Sequence, residues 1–547
     1  MSNAALHAIH LQVMWNRLIA VVEEQAQALL RTAFGSVVRE AGDLSAGVYD
    51  LDGRMLAQAV TGTPGHVNTM AQAVLHFLDR FPIKSMKPGD VYVTNDPWMG
   101  TGHLFDFVVM TPAFRGDEVV ALFASTCHMT DVGGRGFTAD AKSVFEEGVL
   151  IPHMKLRTAA GLNNDLLAIV EGNSRNPLEL RGDLLSLLAC NDTGVARLLE
   201  MLAEFSLSGL KELGDHILDS SARATREAIA RVPEGVYHTA MELDGYDMPV
   251  SLKAVMTVKG GSIAVDYAGS SKASAFGINS PKCYTDAYTV FGLKCIIAPD
   301  VPNNAGSLGC FDVLAEPGTC VHPTRPSPVT ARHVIGQMLP DVAFGCLAQA
   351  MPERVPAESA GSIWVLAMAS ATDGNNATRF NVMNVGLGGV GARPTKDGLN
   401  TTAFPSGVGA IPVEVTEIQS PLVFRRKEFL PDSGGAGEFH GGLGQIIEIA
   451  NTEGAPFTVS AATFDRLRNP ARGRNGGAAG RAGVARLGSG KLLETKALHT
   501  VPPGDSLIVE LPGGGGFGDP HARSEAALAE DLAAGMITEA GAKADYR

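Results

Sequence analysis

The sequence lacks several features that would assign the protein to a large functional class. No apolar run approaches the ~18 residues of a membrane-spanning helix, and the first residues lack the basic and apolar segments of a secretory signal. Positive charge is also scarce, because 44 Lys and Arg face 58 Asp and Glu, for a net charge of −14. This balance argues against a phosphate-binding surface for nucleic acid. We therefore expect a cytoplasmic protein that binds neither membranes nor nucleic acid.

Paired cysteines are missing as well. The seven cysteines form no C-x-x-C motif and are odd in number, which is typical of reduced, buried thiols in a cytoplasmic protein. Cys127 directly precedes His128, so a nucleophilic Cys-His pair is one alternative. Adjacent residues of a strand point to opposite faces, however, and Cys127 should face away from any site that His128 lines.

The chain is rich in glycine, with 63 residues, but has no recognisable nucleotide-binding loop. Three glycine-rich segments, at 386–391, 488–491 and 513–518, fail to match G-x-x-x-x-G-K-[ST]. None shows the strand–glycines–helix context of a dinucleotide site. Tight turns and close backbone approach explain these glycines better.

The segment 91–134 contains three good metal ligands, His103, Asp106 and His128. Strand-like runs at 107–110 and 119–124 separate His128 from the H-x-x-D unit of the other two, so neighbouring strands should bring the ligands together at a sheet edge. Two imidazoles and one carboxylate leave coordination positions open for catalysis and suit zinc, manganese or iron. The alternative is that these are scattered polar residues, since H-x-x-D is short.

The pattern of apolar residues predicts a mixed α/β protein of several modules. We expect a metal-binding α/β region at 1–230, a mixed sheet and buried-helix module at 231–375, and a glycine-rich β module with a C-terminal helix at 376–547. Helices are predicted at 5–34, 69–80, 331–351 and 524–540, and two more within 184–230, broken near 206–209. Further strands are predicted at 46–49, 91–94, 235–243 and 262–267.

Beyond these patterns, motifs lie in one order along nearly the whole chain. They occupy residues 43–50, 65–70, 95–97, 147–156, 173–183, 432–437, 441–444 and 512–520. In this order they resemble the hydantoinase B/oxoprolinase family, which also includes the large subunits of acetone and acetophenone carboxylases. The large subunits of these carboxylases bind a metal through two histidines and one aspartate. The resemblance implies that His103, Asp106 and His128 are the corresponding ligands in this chain.

The resemblance also implies an activity and a partner. ATP with its Mg²⁺ would be handled by a hydantoinase A-type subunit, which phosphorylates the carbonyl oxygen of a hydantoin, 5-oxoproline or other lactam. In the present chain hydroxide at a divalent metal would attack the activated carbon, and phosphate would leave. The alternative activity is that of a ketone carboxylase. A third interpretation is that the chain is a non-catalytic scaffold subunit. A mean hydropathy of +0.09 is slightly apolar for a soluble enzyme and fits a buried partner interface, which favours a heterotetramer or larger assembly.

Three further polar residues are predicted around the metal ligands as catalytic residues: His66, Asp96 and Glu147. His66 is expected in a Gly- and Pro-rich turn. Asp96 is interpreted either as a proton acceptor or histidine-orienting partner, or as the first residue of an Asx turn before Pro97. Asp131 repeats the H-x-x-D unit after His128 and could be a fourth ligand or fix the tautomer of His128. Arg332 and His333 are expected at a helix start, with contact to a substrate anion as the alternative.

Overall fold

The computed structural model describes residues 3–60, 62–361, 363–371, 379–493 and 496–546. These residues form a mixed α/β structure with four β-sheets, so the mixed α/β part of the predicted fold is confirmed. No helix among them combines the length and apolar character needed to cross a membrane.

The first sheet has seven strands and carries the predicted metal ligands. Its neighbouring strands are all antiparallel, in the order β2-β1-β5-β4-β3-β6-β7. The strands are β1 (Leu44–Tyr49), β2 (Met55–Gln58), β3 (Val91–Thr94), β4 (Asp106–Arg115), β5 (Glu118–His128), β6 (Met154–Thr158) and β7 (Gly161–Leu162). The hairpin of β4 and β5 is longer than the two predicted runs and occupies the interior of the sheet.

Helices cover both faces of this sheet. They are α1 (Asn3–Thr32), α2 (Ser36–Arg39), α3 (Pro64–Arg80), α4 (Val144–Glu147), α5 (Asn164–Asn173), α6 (Pro177–Glu204) and α7 (Lys211–Ile229), with a 3-10 turn at Ile83–Ser85. The long helices α1 and α6 pack on one face and α3 packs on the other. The predicted helices at 5–34 and within 184–230 are confirmed, with the break between α6 and α7 at 205–210.

The start of α3 corrects one prediction. Helix α3 begins at Pro64 rather than residue 69, so His66 lies in its first turn and not in a loop. Proline is favourable in the first turn because its missing N–H would have no partner there. Gly65 lies in the same turn, where a larger residue would clash, because a Cβ at this position would lie 2.7 Å from the rings of Tyr284 and Tyr288.

The second sheet joins four strands in the order β11-β10-β9-β8, with β10 and β11 parallel. They are β8 (Gly235–Leu243), β9 (Val250–Lys259), β10 (Ser262–Asp266) and β11 (Phe311–Leu314), accompanied by α8 (Lys282–Ile297), α9 (Ala305–Leu308), α10 (His333–Gly336) and α11 (Leu339–Ala350). The single helix predicted at 331–351 is wrong, since α10 and α11 are separate. Pro340 lies in the first turn of α11, where a proline starts a helix instead of continuing one.

Two four-stranded antiparallel sheets, β13-β12-β16-β18 and β14-β15-β19-β17, form the last part of the fold. Their strands are β12 (Trp364–Ser370), β13 (Asn381–Gly386), β14 (Leu422–Phe429), β15 (Gln445–Asn451), β16 (Phe457–Ser460), β17 (Val484–Leu487), β18 (Leu498–Val501) and β19 (Ser506–Glu510). The predicted module boundary at 375/376 lies outside the described residues. Strands β12 and β13, on either side of it, pair with each other.

The remaining helices are α12 (Val413–Gln419), α13 (Glu525–Ala533) and α14 (Glu539–Asp545), with a 3-10 turn at Pro520–Ala522. The one helix predicted at 524–540 is wrong, because Gly535 takes a φ of +68° after α13 and Thr538 caps the separate helix α14. Close backbone approach at 513–516 is confirmed: a Cβ on Gly513 would lie 1.8 Å from the carbonyl oxygen of Ser433.

Candidate metal centre

Strand register brings Asp106 and His128 together. The two residues are direct partners across the β4–β5 hairpin, and both share the face of Met110 and Ala124, which packs under α3. Cys127 lies in the apolar cluster on the opposite face, and burial raises its thiol pKa well above the usual value. Asp106 begins β4 and His128 ends β5, and these two interior strands are flanked by β1 and β3.

His103, just before β4, completes the cluster. Its Nδ1 donates to the carbonyl oxygen of Thr330 at 2.9 Å, and its Nε2 lies 2.9 Å from Oδ1 of Asp106. Nδ1 of His128 lies 3.3 Å from the same Oδ1. One ligand atom from each of the three residues lies within 4.8 Å of the other two.

The second oxygen of Asp106 is fully engaged. Its Oδ2 accepts from Thr101 Oγ1 at 2.7 Å and from Nη2 of Arg332 at 2.6 Å, and His66 Nε2 lies 3.0 Å away. Gly102 permits this arrangement, because with φ at +104° a Cβ there would lie 2.6 Å from Cδ of Arg332. Asp106 is thereby held with Oδ1 directed at the two histidines.

The charges around Asp106 shift the pKa values of its neighbours. Burial acts against ionisation of Asp106, but His103, His66 and Arg332 outweigh it and hold the carboxyl pKa well below its usual range. Burial, assisted by the Arg332 charge, lowers the pKa of His103 to about 4. For His66 burial opposes protonation, but the charges of Asp106 and Asp43 raise the pKa overall.

The donor set fits a divalent cation. Because His103 donates from Nδ1, its Nε2 holds a lone pair that faces a carboxylate oxygen at 2.9 Å. That contact lacks hydrogen-bond geometry, and among the described residues neither this Nε2 nor Nε2 of His128 has a hydrogen-bond partner. Two lone pairs at this distance repel each other unless a cation lies between them. Two imidazoles and a carboxylate are suitable ligands for zinc, manganese or iron.

Glu147 lies behind the cluster rather than in it. Its Oε1 accepts from the backbone N–H groups of Val329 and Thr330 at 2.6 and 2.8 Å, and the carbonyl of Thr330 in turn accepts from His103. Burial raises the pKa of Glu147 to about 7. Glu147 therefore fixes the backbone that orients a ligand.

Two other predicted residues are held elsewhere. Oδ1 of Asp96 accepts from the backbone N–H groups of Trp98 and Met99 at 3.0 and 3.3 Å, the arrangement of an Asx turn, and its Oδ2 pairs with Arg325. Asp131 is neither a fourth ligand nor the partner of His128, because Arg175 holds its carboxylate, with Nε at 3.0 Å from Oδ1.

A cavity of about 50 Å³ adjoins the cluster. His66, His103, His128 and Asp43 line it together with residues of β12, β13 and the segment that follows. Phe137 and Met383 also line a neighbouring cavity of about 520 Å³.

Sequence reasoning missed the part that Arg332 plays. It lies at the start of α10 as expected, yet its guanidinium is buried against Asp106 and lies over the Tyr284 ring at 4.1 Å. An arginine among the apolar residues Val329, Ala331, Val334 and Ile335 was the available signal, since a buried arginine needs a buried counter-charge.

Comparison with known proteins finds relatives over nearly the whole chain. The chain is 30% identical to an uncharacterized protein of Methanocaldococcus jannaschii, covering 98% of this chain and 95% of that one. It is 28% identical to the caprolactamase subunit beta of Pseudomonas jessenii, covering 98% and 95%.

Solved structures give the same picture of the fold. The crystal structure of the ATP-dependent caprolactamase from Pseudomonas jessenii matches with a TM-score of 0.90 at 26% identity, covering 98% of this chain and 96% of that one. A nucleotide-free structure of acetone carboxylase matches with a TM-score of 0.86 at 18% identity, covering 98% and 79%, and shows a common fold. The family model for hydantoinase B/oxoprolinase matches residues 7–520, and the chain belongs to this family.

Proposed function

We propose that this chain is the metal-dependent B-type subunit of an ATP-dependent cyclic amide hydrolase. The observation that carries the proposal is the buried cluster of His103, Asp106 and His128, whose ligand atoms converge within 4.8 Å beside a cavity. Its relative named caprolactamase subunit beta and the ATP-dependent caprolactamase structure support the reaction class.

The chemistry requires activation from elsewhere. An amide carbonyl is a poor electrophile, and in the proposed reaction a hydantoinase A-type partner transfers a phosphoryl group from ATP to the carbonyl oxygen. Water then adds at that carbon and the ring C–N bond breaks with the nitrogen taking a proton, which leaves an acyl phosphate. A second water attacks the acyl phosphate, and the carboxylate and phosphate are released. Two waters are therefore consumed overall, one in opening the ring and one in hydrolysing the acyl phosphate.

Each residue of the cluster has a defined part in this proposal. His103, Asp106 and His128 would hold a divalent metal, which when bound supplies a Lewis acid for the carbonyl and lowers the pKa of water. His66 and Arg332 fix Oδ2 of Asp106. Asp96 accepts from the backbone N–H of Trp98 in an Asx turn, so it is not part of the proposed site.

Glu147 is proposed as a positioning residue. Glu147→Ala should lower metal affinity by about 10–100-fold, the usual cost of losing support behind a ligand, because the Thr330 carbonyl that orients His103 loses its anchor. Glu147→Gln keeps an acceptor oxygen for both N–H groups and should bind metal nearly as the wild type does. Competition with a chromophoric chelator measures both affinities; equal affinity of Glu147→Ala and wild type would refute the role.

The function is tested by co-expressing the chain with a hydantoinase A-type subunit. Formation of ADP and of ring-opened product is measured with a panel of lactams, hydantoins and 5-oxoproline. We expect both products together with at least one cyclic amide, from a complex that contains two copies of each chain by light scattering. The chain alone should hydrolyse no ATP.

At 18% identity, the likeness to acetone carboxylase concerns the fold alone. Ketone carboxylation is therefore treated as one result that the test can give and not as a proposed function. Ketones with bicarbonate are added to the panel for that reason. Carboxylation without ring opening would replace the proposal, and a monomer that opens a cyclic amide without ATP would contradict it.

A further inference from the structure

His333 is a further histidine beside the metal cluster, and neither the fold nor the ligand set accounts for it. It lines the same cavity as His103 and His128, and it is 5% exposed. Its ring stacks on that of Phe137, with the centroids 5.9 Å apart. The Phe137 ring in turn lies 5.5 Å from that of His128 and 6.3 Å from that of His103. A single aromatic ring therefore connects His333 to both histidine ligands.

The two nitrogens of the His333 ring have different surroundings. The backbone of Ile363 forms a hydrogen bond with the ring, and because its N–H donates to Oε1 of Gln337 at 3.1 Å, the carbonyl is the acceptor. Nε2 of His333 is buried and has no hydrogen-bond partner among the described residues. The donor to Ile363 is therefore Nδ1, and this tautomer leaves a lone pair on Nε2.

The environment keeps this lone pair available. Burial, assisted by the Arg332 charge, lowers the pKa of His333 well below its usual value, so the ring is neutral at pH 7. A buried acceptor without a partner costs free energy. Such groups are rare in native structures, and a functional site is one of the few places where they are retained.

The backbone around His333 is fixed relative to the metal ligands. The preceding residue, Arg332, donates from Nη2 to Oδ2 of Asp106 at 2.6 Å. Glu147 accepts from the backbone N–H of Thr330 at 2.8 Å, and the Thr330 carbonyl accepts from His103. The segment 330–333 thus orients one ligand and holds another, so Nε2 of His333 has a defined position beside them.

The proposed reaction needs an acceptor for the water that attacks the activated carbon. The acidic residues nearby are engaged, since Glu147 binds two backbone N–H groups and Asp43 accepts from Thr63 Oγ1 at 3.0 Å. The unpartnered Nε2 atoms of His103 and His128 belong to the proposed metal ligands. Nε2 of His333 remains as a neutral acceptor in the same cavity.

We propose that His333 is a further catalytic residue, which accepts a hydrogen bond from the attacking water and directs its oxygen at the activated carbon. The inference rests on the proposed function. The cavity of about 50 Å³ has room for this water, because about 10–15 Å³ is enough to hold one. As the new C–O bond forms and the ring C–N bond breaks, the protons of the water pass to the ring nitrogen, and His333 ends the step unchanged.

The test compares His333→Asn with His333→Gln in the complex with the hydantoinase A-type partner. The asparagine amide reaches as far as Nδ1 and can keep the bond to Ile363, but it places no acceptor at Nε2. The glutamine amide reaches the position of Nε2 with an oxygen. With a cyclic amide that the wild type opens, we expect kcat for ring opening to fall about a hundredfold in His333→Asn, the usual cost of misplacing a reactant. His333→Gln should recover at least about tenfold of that loss.

His322→Asn is the matched control. His322 likewise donates from Nδ1 to a backbone carbonyl, that of Ala315 at 2.8 Å, but it is not among the residues that line the cavity. This variant should retain wild-type turnover.

Two readouts separate this role from a structural one. Metal affinity, measured by competition with a chromophoric chelator, should be unchanged in His333→Asn because His333 is not a ligand. The amount of ADP formed for each ring opened should rise in the same variant. A phosphorylated amide that is not attacked at carbon is lost by attack of water at phosphorus, which returns the cyclic amide and phosphate.

Wild-type turnover by a folded His333→Asn complex, or loss of metal from it, would overturn the inference and leave the proposed function standing. If that variant does not fold, His333→Phe replaces it, since phenylalanine keeps an aromatic ring against Phe137 and offers no acceptor. The same loss of turnover is expected there, and wild-type turnover would contradict the inference. A wild-type complex that opens no cyclic amide would remove the proposed function and the inference with it.

Discussion

Asp106→Asn is expected to destabilise the metal-free protein by about 3–5 kcal/mol, the usual cost of removing one partner from a buried ion pair. Asp106 is 0% exposed and the Arg332 side chain 3%, so the substitution leaves a buried guanidinium without its counter-charge. Urea unfolding in the presence of a chelator measures the change without a contribution from metal binding.

Asp96→Asn is the matched control for that experiment. Asp96 pairs with Arg325, whose side chain is 43% exposed and can regain water, and asparagine also forms Asx turns. Its effect should stay below about 1 kcal/mol. Equal stabilities of the Asp106 variant and the wild type would show that Asp106 does not hold the buried charges together.

His103→Ala is expected to reduce ring opening by the complex at least about a thousandfold. Loss of one ligand forfeits the several kcal/mol that a Lewis acid contributes to the transition state, at 1.36 kcal/mol for each factor of ten. The measurement is the initial rate of ring-opened product at saturating ATP.

His153→Ala makes the same chemical change outside the cluster. His153 packs edge-on against Phe77 with ring centroids 4.6 Å apart and is not among the residues that line the cavity. Its complex should retain wild-type turnover. A His103→Ala complex as active as this control would mean that ring opening takes place elsewhere.

The sequence was sufficient to predict the local part of the candidate site. H-x-x-D followed by a second histidine across two strand-like runs predicted the meeting of His103, Asp106 and His128, and strand alternation predicted that Cys127 would turn away. These relations depend on side-chain period and on a single hairpin, both of which are local. The resemblance supplied the family, which the match over residues 7–520 shows.

The parts that sequence reasoning missed come from distant segments. Arg332 is 226 positions from Asp106, and the cavity-lining residues Val365 and Val385 belong to a different sheet from the ligands. Periodicity reports which face of an element is buried but not what packs on it. The Asp131 prediction was wrong for the same reason, because Arg175, 44 positions away, holds its carboxylate.

Measuring metal content together with turnover is the most direct test of the claim that a divalent metal at His103, Asp106 and His128 is needed for ring opening. The purified complex is analysed for divalent metals, stripped with a chelator, and assayed for ring opening before stripping, after it, and after metal is returned. We expect one divalent metal for each copy of this chain, loss of ring opening on stripping, and recovery on return of the metal. Full turnover by a complex that contains no metal would contradict the account.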